Sequence, residues 1–146
     1  MSDKILVGAI ETCSLPELKI QDLDVRIDTG AKTSSLHVDH IKKFQRNGKP
    51  WVSFDIHPTV HNVEETISTE SKLKDIRRIK SSNGQVEERY IITTQFQLGN
   101  DVWDIDISLT DRSDMSFLML LGREGMGSRI IVDPSQTYLV SSEEAG

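Results

Sequence analysis

A strict alternation of apolar and polar side chains over residues 102–109 constrains the fold of this chain more than any other feature. Aspartate or serine separates the apolar side chains, which are Trp103, Ile105, Ile107 and Leu109. A period of two places successive side chains on opposite faces of an extended strand. The segment is therefore predicted to be a half-exposed antiparallel strand, with one face in a core and the other in water.

Other short segments also have strand patterns, bounded by Gly, Asn, Asp or Pro; they cover residues 5–10, 23–28, 51–56, 90–96, 117–121, 130–132 and 138–140. The sequence between residues 57 and 80 is polar, and we predict one long connection there. Many short strands with few helical stretches favour an all-β fold, either a barrel or a sandwich.

The length of 146 residues fits a single domain over 1–146, with a core at about 5–140 and a polar tail at 141–146. A composition of 36% hydrophobic and 27% charged residues is typical of a globular protein. The 17 Lys and Arg against 23 Asp and Glu give a net charge of −6. This balance argues against nucleic acid or an anionic membrane as a partner, although local basic clusters still count.

The expected compartment is the cytoplasm. No segment approaches the roughly 18 apolar residues of a membrane-spanning helix, and Glu11 interrupts the first apolar run too early for a secretory signal. Cys13 is the only cysteine, so the chain forms no internal disulfide and no cysteine-only metal site. We expect Cys13 to be a small, semi-buried residue.

An apolar strand runs directly into Asp28-Thr29-Gly30 within the segment LDVRIDTGAKTSSL, residues 23–36. Glycine permits a sharp reversal, the threonine hydroxyl can hydrogen-bond beneath the loop, and the strand end holds the carboxylate rigidly. A lone Asp-Thr-Gly is more often a plain turn than a catalytic loop. Its interpretation as a catalytic site therefore depends on the rest of the chain.

Two further segments follow in the order that such a site needs. The pair Asn83-Gly84 is a strong signal for a tight hairpin, because both positions tolerate positive φ. The segment LMLLGRE, residues 118–124, is an apolar strand that ends in Leu-Leu-Gly-Arg. A helix after this strand should be short, because the glycines at 125 and 127 disfavour helix.

The order of apolar strand, Asp-Thr-Gly-Ala, hairpin and Leu-Leu-Gly-Arg resembles the layout of retropepsin-like aspartic proteases. Within that superfamily, the runs DTGAKTSSLHVDHI, KPWVSFDIHP, KSSNG, LTDRSDM and LLGRE are similar to the small bacterial proteins called the RimK-associated or "ATP-dependent zinc protease" family. The resemblance spans about residues 23–132. It implies an all-β, closed barrel of the acid-protease type that forms one subunit of a two-fold dimer.

The resemblance also implies roles for individual residues. The catalytic loop would be formed by Asp28, Thr29 and Gly30. The substrate would contact Ala31 and Lys32 beside this loop, and the flap tip at Ser82, Asn83 and Gly84. Support from below would come from Leu120, Leu121, Gly122 and Arg123. Internal salt bridges are expected at Arg123 and, as the weaker candidate, at Arg112.

Aspartic proteolysis uses two carboxylates that share one proton, because two like charges at hydrogen-bond distance cannot both ionise cheaply. This chain has a single Asp-Thr-Gly. Asp28 must therefore meet Asp28 of a second copy across a two-fold axis. The expected active species is a homodimer that hydrolyses a peptide or protein substrate.

Basic residues near the flap and the catalytic loop suggest the type of substrate; they are Lys32, Lys72, Lys74, Arg77, Arg78, Lys80 and Arg89. A basic rim would favour an acidic peptide, although a solvated charged face explains the pattern equally well. The association of the resembled family with glutamate ligases implies a functional link to such a ligase and trimming of glutamate-rich tails.

Two other functions stay open. A non-catalytic binding or adaptor module that partners a glutamate ligase would have the same fold. A zinc-dependent peptidase would need ligands among His37, His40, His57 and His61, but no His-Glu-x-x-His occurs and the proline at 58 disfavours a regular helix there. We expect no metal or other cofactor, and no nucleotide, because no Lys-Ser follows Gly127 as in a phosphate-binding loop.

Overall fold

The computed structural model describes residues 4–57, 66–80, 84–110 and 117–140, and within these ranges the fold is almost entirely β. The strands in chain order are β1 (Ile5–Val7), β2 (Ile10–Leu15), β3 (Ile20–Ile27), β4 (Ser34–His37), β5 (Asp39–Arg46), β6 (Lys49–Ile56), β7 (Ile67–Lys72), β8 (Asp75–Lys80), β9 (Val86–Leu98), β10 (Asp101–Thr110), β11 (Met119–Leu121) and β12 (Ile130–Val132). A 3-10 turn covers Pro16–Leu18, and the short helix α1 covers Arg123–Met126.

Six of these strands close into a barrel in the order β10, β4, β11, β3, β2, β9, and β9 pairs back onto β10. The pairing of Ser14 with Gln97 joins β2 to β9 and completes the ring. The strand β8 continues the sheet beyond the ring by pairing with the first half of β9. The prediction of an all-β fold with a closed barrel is confirmed.

The alternation in β10 sets the inner wall of the barrel. The side chains of Trp103, Ile105, Ile107 and Leu109 are all buried, as predicted. On the other face Asp104 is exposed but Ser108 is buried, so the prediction that this face lies in water is wrong for the second half of the strand. Each such apolar side chain stabilises the fold by about 1.5–3 kcal/mol relative to an exposed position. The strand is antiparallel to β9, as predicted, and parallel to β4 on its other side.

The prediction of one long connection between residues 57 and 80 is wrong, because the described part of this stretch contains two strands. β7 pairs with β6, placing Ile67 opposite Ile56 and Thr69 opposite Phe54, and with β5 they form a separate three-stranded sheet. Since β7 has few apolar residues of its own, its strand conformation depends on this pairing with a distant segment. Residues 58–65 lie outside the described residues.

The predicted strand over residues 5–10 is split at Gly8. A Cβ atom at Gly8 would lie 2.4 Å from the carbonyl oxygen of Gln136, so the C-terminal segment crosses directly over this backbone. Before the break, β1 pairs in parallel with β12 and places Leu6 opposite Ile131. Both of these apolar side chains are about half exposed, at 50% and 51%.

The prediction of a strand over residues 138–140 is wrong, because a side chain occupies the place of a partner strand. Glu11 is completely buried, and its carboxylate accepts hydrogen bonds from the backbone N–H groups of Leu139 and Val140 at 2.8 and 3.1 Å. It also accepts one from Gly8 at 2.8 Å. The tail at 141–146 lies outside the described residues.

Candidate active site

Asp28 follows directly on β3, where the backbone is held from two sides. The N–H of Ile27 donates to the carbonyl oxygen of Ala9, and the N–H of Asp28 donates to that of Leu121, both at 2.9 Å. β3 and β11 run parallel, with Ile27 opposite Leu121, so their carboxyl ends meet beneath the same loop. The predicted placement of a carboxylate at a rigid strand end is therefore observed.

The Asp28-Thr29-Gly30 loop is closed by its own hydrogen bonds. The N–H of Gly30 donates to Oδ1 of Asp28 at 3.0 Å, and the N–H of Ala31 donates to the Asp28 carbonyl oxygen at 3.2 Å. A Cβ atom on Gly30 would approach Oδ1 to 3.3 Å. Asp28 is half-buried, whereas Thr29 and Gly30 are exposed, so the loop presents the carboxyl group at an accessible surface.

The segment around Gly122 lies in direct contact with the loop. A Cβ atom on Gly122 would be 2.7 Å from the carbonyl carbon of Thr33, so only glycine fits without a shift of backbone. The N–H of Arg123 donates to the carbonyl oxygen of Ala31 at 2.8 Å, and that of Glu124 donates to Lys32 at 3.0 Å. Leu121 is fully buried and Leu120 is half-buried beneath this contact.

Arg123 supports the loop in a different way from the one predicted. Its guanidinium donates to the carbonyl oxygen of Thr29 at 2.9 Å. No carboxylate of the described residues lies within 4 Å of it, so the predicted salt bridge is absent from this part of the chain. The guanidinium therefore holds the Asp28-Thr29-Gly30 loop through its backbone. Arg112 lies outside the described residues.

Two supporting side chains were not predicted from the sequence. The buried hydroxyl of Ser34 accepts a hydrogen bond from the N–H of Gly122 at 3.0 Å, and the hydroxyl of Thr33 donates to Glu124 at 3.2 Å. One signal was available for Ser34, since it lies two residues before the apolar Leu36 in a strand and must share its face. No local pattern points to the contact of Thr33 with Glu124.

The predicted hairpin around Asn83-Gly84 is observed, although its first strand, β8, lies in the stretch that was predicted as a connection. β8 and β9 form an antiparallel hairpin whose last pair joins Lys80 to Val86. This register leaves residues 81–85 between the strands, so the connection is longer than the predicted tight turn. Gly84 has a φ of +86°, as a turn glycine should. Ser82 and Asn83 lie outside the described residues.

Carboxylates accompany Lys74 and the arginines of the β8–β9 hairpin. Lys74 pairs with Asp106 at 2.6 Å, while Arg77, Arg78 and Arg89 lie 3.4–3.8 Å from Asp75, Glu88 and Glu87 respectively. Such partly exposed pairs are individually weak, but they leave little net positive charge on the hairpin. Lys32 beside the Asp28-Thr29-Gly30 loop is exposed and has no carboxylate partner among the described residues.

The histidines contact carboxylates close to the three-stranded sheet. Nε2 of His57 lies 2.8 Å from Asp39, with His37 at 3.9 Å on the other oxygen, and His40 lies 2.9 Å from Asp55. Among the residues that the structure describes, no three His, Cys, Asp or Glu side chains are arranged to hold a metal ion. His61 lies outside these residues.

Cys13 is more deeply buried than predicted, with 2% of its surface exposed, and burial raises the pKa of its thiol. Its sulfur lies 3.9 Å from that of Met119. A thiol held in its neutral form in an apolar interior is a packing residue and not a nucleophile.

A closed barrel with an Asp-Thr-Gly loop at one strand end, a Leu-Leu-Gly strand beneath it and a separate hairpin defines a retropepsin-like domain. The family model described as "Retropepsin-like aspartic endopeptidase RimB" matches residues 6–143, and the chain belongs to this RimB-like family.

Similar sequences occur within longer proteins. Two of them are named "Probable alpha-L-glutamate ligase": one from Shewanella halifaxensis is 43% identical over 98% of this chain, and one from Desulfotalea psychrophila is 45% identical over 90%. The matched parts are 31% and 28% of those proteins, so the chain spans about a third of their length.

A crystal structure of a Legionella pneumophila protein of unknown function has a similar fold. It superposes with a TM-score of 0.78 and 27% sequence identity, covering 95% of this chain and 99% of that one. In the described part of the present chain, no helix has the length and apolar character needed to span a bilayer.

Proposed function

We propose that the chain is an aspartic-type peptidase whose active form is a homodimer. One observation carries this proposal: the Asp28-Thr29-Gly30 loop is intact, the N–H of Asp28 donates to the carbonyl oxygen of Leu121, and the N–H of Gly30 donates to the partly accessible Asp28 carboxylate. A domain that serves only as a scaffold would not need a carboxyl group there. Membership of a family described as aspartic endopeptidases supports the same function.

The need for two copies follows from the single Asp-Thr-Gly in the chain. The exposed apolar pair of Leu6 and Ile131, on the two-stranded sheet β1–β12, supports association of two chains. Apolar side chains on adjacent short strands lose contact with water when a second copy covers them. In this proposal the two Asp28 loops face each other across the two-fold axis.

In the proposed reaction, one Asp28 carboxylate removes a proton from a water molecule, and the protonated Asp28 of the second copy donates a hydrogen bond to the scissile carbonyl oxygen. The water oxygen attacks the carbonyl carbon. The peptide nitrogen then takes up the proton that the first Asp28 removed from water, the carbon–nitrogen bond breaks, and the amine leaves. Closure of the two flaps over the substrate excludes bulk water.

A glutamate-rich peptide is the substrate class that we propose. The matched proteins named alpha-L-glutamate ligases carry this unit within one longer chain, which supports a shared pathway with enzymes that add glutamate. The exposed Lys32 beside Asp28 supports a carboxylate-rich ligand at the loop, whereas the ion-paired flap contributes less than the sequence suggested. Cleavage of oligoglutamate should therefore slow as salt is added.

The test is cleavage of a glutamate-rich peptide by the wild type and by Asp28→Asn. The proposal expects cleavage by the wild type, and loss of at least about a thousandfold in kcat for the variant, because a general acid–base group contributes roughly this much. Equal rates in both proteins would exclude the aspartic mechanism. Inhibition by a chelator together with full activity of Asp28→Asn would favour the zinc-dependent alternative instead.

A second candidate function is a non-catalytic adaptor for a glutamate ligase. The observation that favours it is that this unit makes up about a third of longer proteins that are named "Probable alpha-L-glutamate ligase". An adaptor would change the rate of the ligase equally as wild type and as Asp28→Asn. Measuring ligase turnover with each protein added separates this function from peptide hydrolysis.

A further inference from the structure

One face of the three-stranded sheet β5–β6–β7 carries exposed cations outside the candidate active site. The register places Trp51 beside Phe44 and Lys72, and Lys49 and Lys42 lie on this same side. We call this side the outer face. The opposite side of β6 is buried against the rest of the molecule through Val52, Phe54 and Ile56.

The outer face differs in charge from the molecule as a whole. Residues 40–54 contain four cations and no carboxylate, although the net charge of the chain is −6. Three of these cations, Lys42, Arg46 and Lys49, project from the outer face, whereas Lys43 projects from the opposite side of the hairpin. The lysine at 72 adds a fourth cation on the outer face from the neighbouring strand.

Carboxylates on the outer face are already engaged. Asp55 accepts a hydrogen bond from Ser68 at 2.6 Å and contacts His40 at 2.9 Å. Both contacts lower the pKa of Asp55, and the hydrogen bond from Ser68 has the larger effect. Glu70 accepts a hydrogen bond from Arg46 at 2.9 Å. By contrast, no carboxylate that the structure describes lies within 4 Å of Lys42, Lys49 or Lys72, so their ammonium groups are available to a ligand.

A groove of about 500 Å³ lies along this face and gives a ligand a place to bind. Lys42, Trp51 and Ser53 line it from the sheet, and Lys19 lines it from the chain after the 3-10 turn. Glu17 also reaches the groove, but its carboxylate accepts a hydrogen bond from the N–H of Gln95 at 2.8 Å. The groove therefore offers the ammonium groups of Lys19 and Lys42, while Lys49 and Lys72 lie on the outer face beyond its lining.

The aromatic side chains of the outer face favour an acidic peptide over single-stranded nucleic acid as the ligand. The Arg46 guanidinium lies 4.4 Å from the ring centroid of Trp51 and 5.2 Å from that of Phe44, so it covers both rings. Single-stranded nucleic acid would need such rings free for base stacking. Flexible carboxylate side chains need only the ammonium groups, and the face is better suited to an acidic peptide.

We propose that the outer face of the β5–β6–β7 sheet docks an acidic, carboxylate-rich peptide segment, which Lys42, Lys49 and Lys72 bind. The binding of such a peptide does not depend on the proposed function. Its identification as part of the substrate rests on the proposed function. The face contains no residue of the Asp28 loop, and the chain passes from it directly into the flap strand β8. Leu73 and Lys74 anchor this passage through backbone bonds to Pro50 and Ile91.

The test uses fluorescein-labelled decaglutamate and the full chain carrying Asp28→Asn, so that no peptide is cleaved. Fluorescence anisotropy gives the Kd of this protein and of the same protein with Lys42→Gln, Lys49→Gln and Lys72→Gln added. Since exposed ion pairs contribute about 0.2–1 kcal/mol each, the three changes should weaken binding by about tenfold. Circular dichroism checks that each variant is folded.

The matched control is Lys43→Gln, which removes the same charge from the neighbouring position on the opposite side of the hairpin. The proposal expects Lys42→Gln to weaken binding and Lys43→Gln to leave it unchanged. Equal losses from the two variants would show only a general charge effect and would overturn the proposal. It would also be overturned if oligouridylate bound the wild type more tightly than decaglutamate and the three substitutions removed that binding.

Peptide cleavage separates this proposal from the proposed function. If the chain is a peptidase, the triple lysine variant should raise KM for a long acidic substrate and leave kcat unchanged. If neither the wild type nor Asp28→Asn cleaves the peptide, the proposed peptidase function fails while the binding result still stands. Loss of kcat without a change in KM or in Kd would exclude docking at this face.

Discussion

The guanidinium of Arg123 donates a hydrogen bond of 2.9 Å to the carbonyl oxygen of Thr29, the residue that follows the candidate catalytic Asp28. The backbone N–H of the same arginine donates to Ala31 on the other side of the loop at 2.8 Å. One residue therefore holds the loop at two points. Because carbonyl oxygens are its partners, it fixes the loop without neutralising the Asp28 carboxylate.

Substitution Arg123→Lys should lower kcat of peptide cleavage by about tenfold and leave KM nearly unchanged. A lysine retains the charge but lacks the planar fork that reaches the Thr29 carbonyl, so the loop loses one positional restraint. Steady-state kinetics on an oligoglutamate substrate checks this. The control is Arg26→Lys, a change at an exposed residue of β3. An unchanged kcat for Arg123→Lys would contradict the positioning role.

Substitution Gly122→Ala should destabilise the protein by about 2 kcal/mol, because the added methyl group would push the neighbouring backbone out of its packed position. Its Cβ would lie 2.7–3.0 Å from backbone atoms of Thr33 and Ala31. Urea unfolding measures the change. Gly48→Ala is the comparison, since no atom lies within 4 Å of its Cβ and only its φ of +77° opposes alanine. An equal or larger loss at Gly48 would contradict the packing argument.

Features that depend on local sequence could be predicted. The alternation in β10 is visible in eight consecutive residues, and the strand found there buries the predicted face. The Asp-Thr-Gly loop could be placed because an apolar strand leads into it and glycine marks the turn. The position of the β8–β9 hairpin could be placed from Asn-Gly, although the strand β8 was not predicted and the connection is longer than that signal implies.

Features that depend on distant contacts could not be predicted. The strand β7 forms from ISTESK only because β6 offers a partner for it, and nothing in those six residues identifies that partner. In the sequence, Glu11 is a charged residue that ends an apolar run, yet it is completely buried in the structure. Its carboxylate accepts three backbone N–H groups, one from nearby Gly8 and two from the distant segment 139–140. Arg123 was expected to find a carboxylate, but its closest acceptor is a backbone carbonyl.

Substitution Glu11→Gln should destabilise the protein by about 3 kcal/mol. Both carboxylate oxygens of Glu11 accept hydrogen bonds from backbone N–H groups. In glutamine an NH2 group replaces one of these oxygens, so at least one buried N–H group would face another donor and lose its acceptor. Urea unfolding measures the total loss. Hydrogen exchange should show faster exchange at Leu139 and Val140. Unchanged exchange at these amides would contradict the role of Glu11 as their acceptor.

Substitution Ile131→Lys should dissociate the proposed dimer and remove peptidase activity at low protein concentration, because the added charge would be buried in the contact between chains. Sedimentation velocity and activity over a range of concentrations measure both effects. Val102→Lys is a matched control on β10, where the valine is 48% exposed. If the wild type sediments as a monomer at concentrations where it is active, the shared dyad is excluded.

Substitution Asp55→Asn should destabilise the protein at neutral pH and have little effect near pH 2. Hydrogen bonds from Ser68, followed by His40, lower the pKa of Asp55 below its value of 3.8 in the unfolded chain. A carboxyl group with a lowered pKa in the folded state contributes its full stabilisation above the unfolded pKa, and loses it as the pH falls through the folded value. The difference in unfolding free energy between wild type and variant should therefore shrink between about pH 4 and pH 2. Urea unfolding at successive pH values measures it, with Asp101→Asn, a change at an exposed residue of β10, as the control. A difference that stays constant over this range would mean that the Ser68 and His40 contacts do not favour the ionised form.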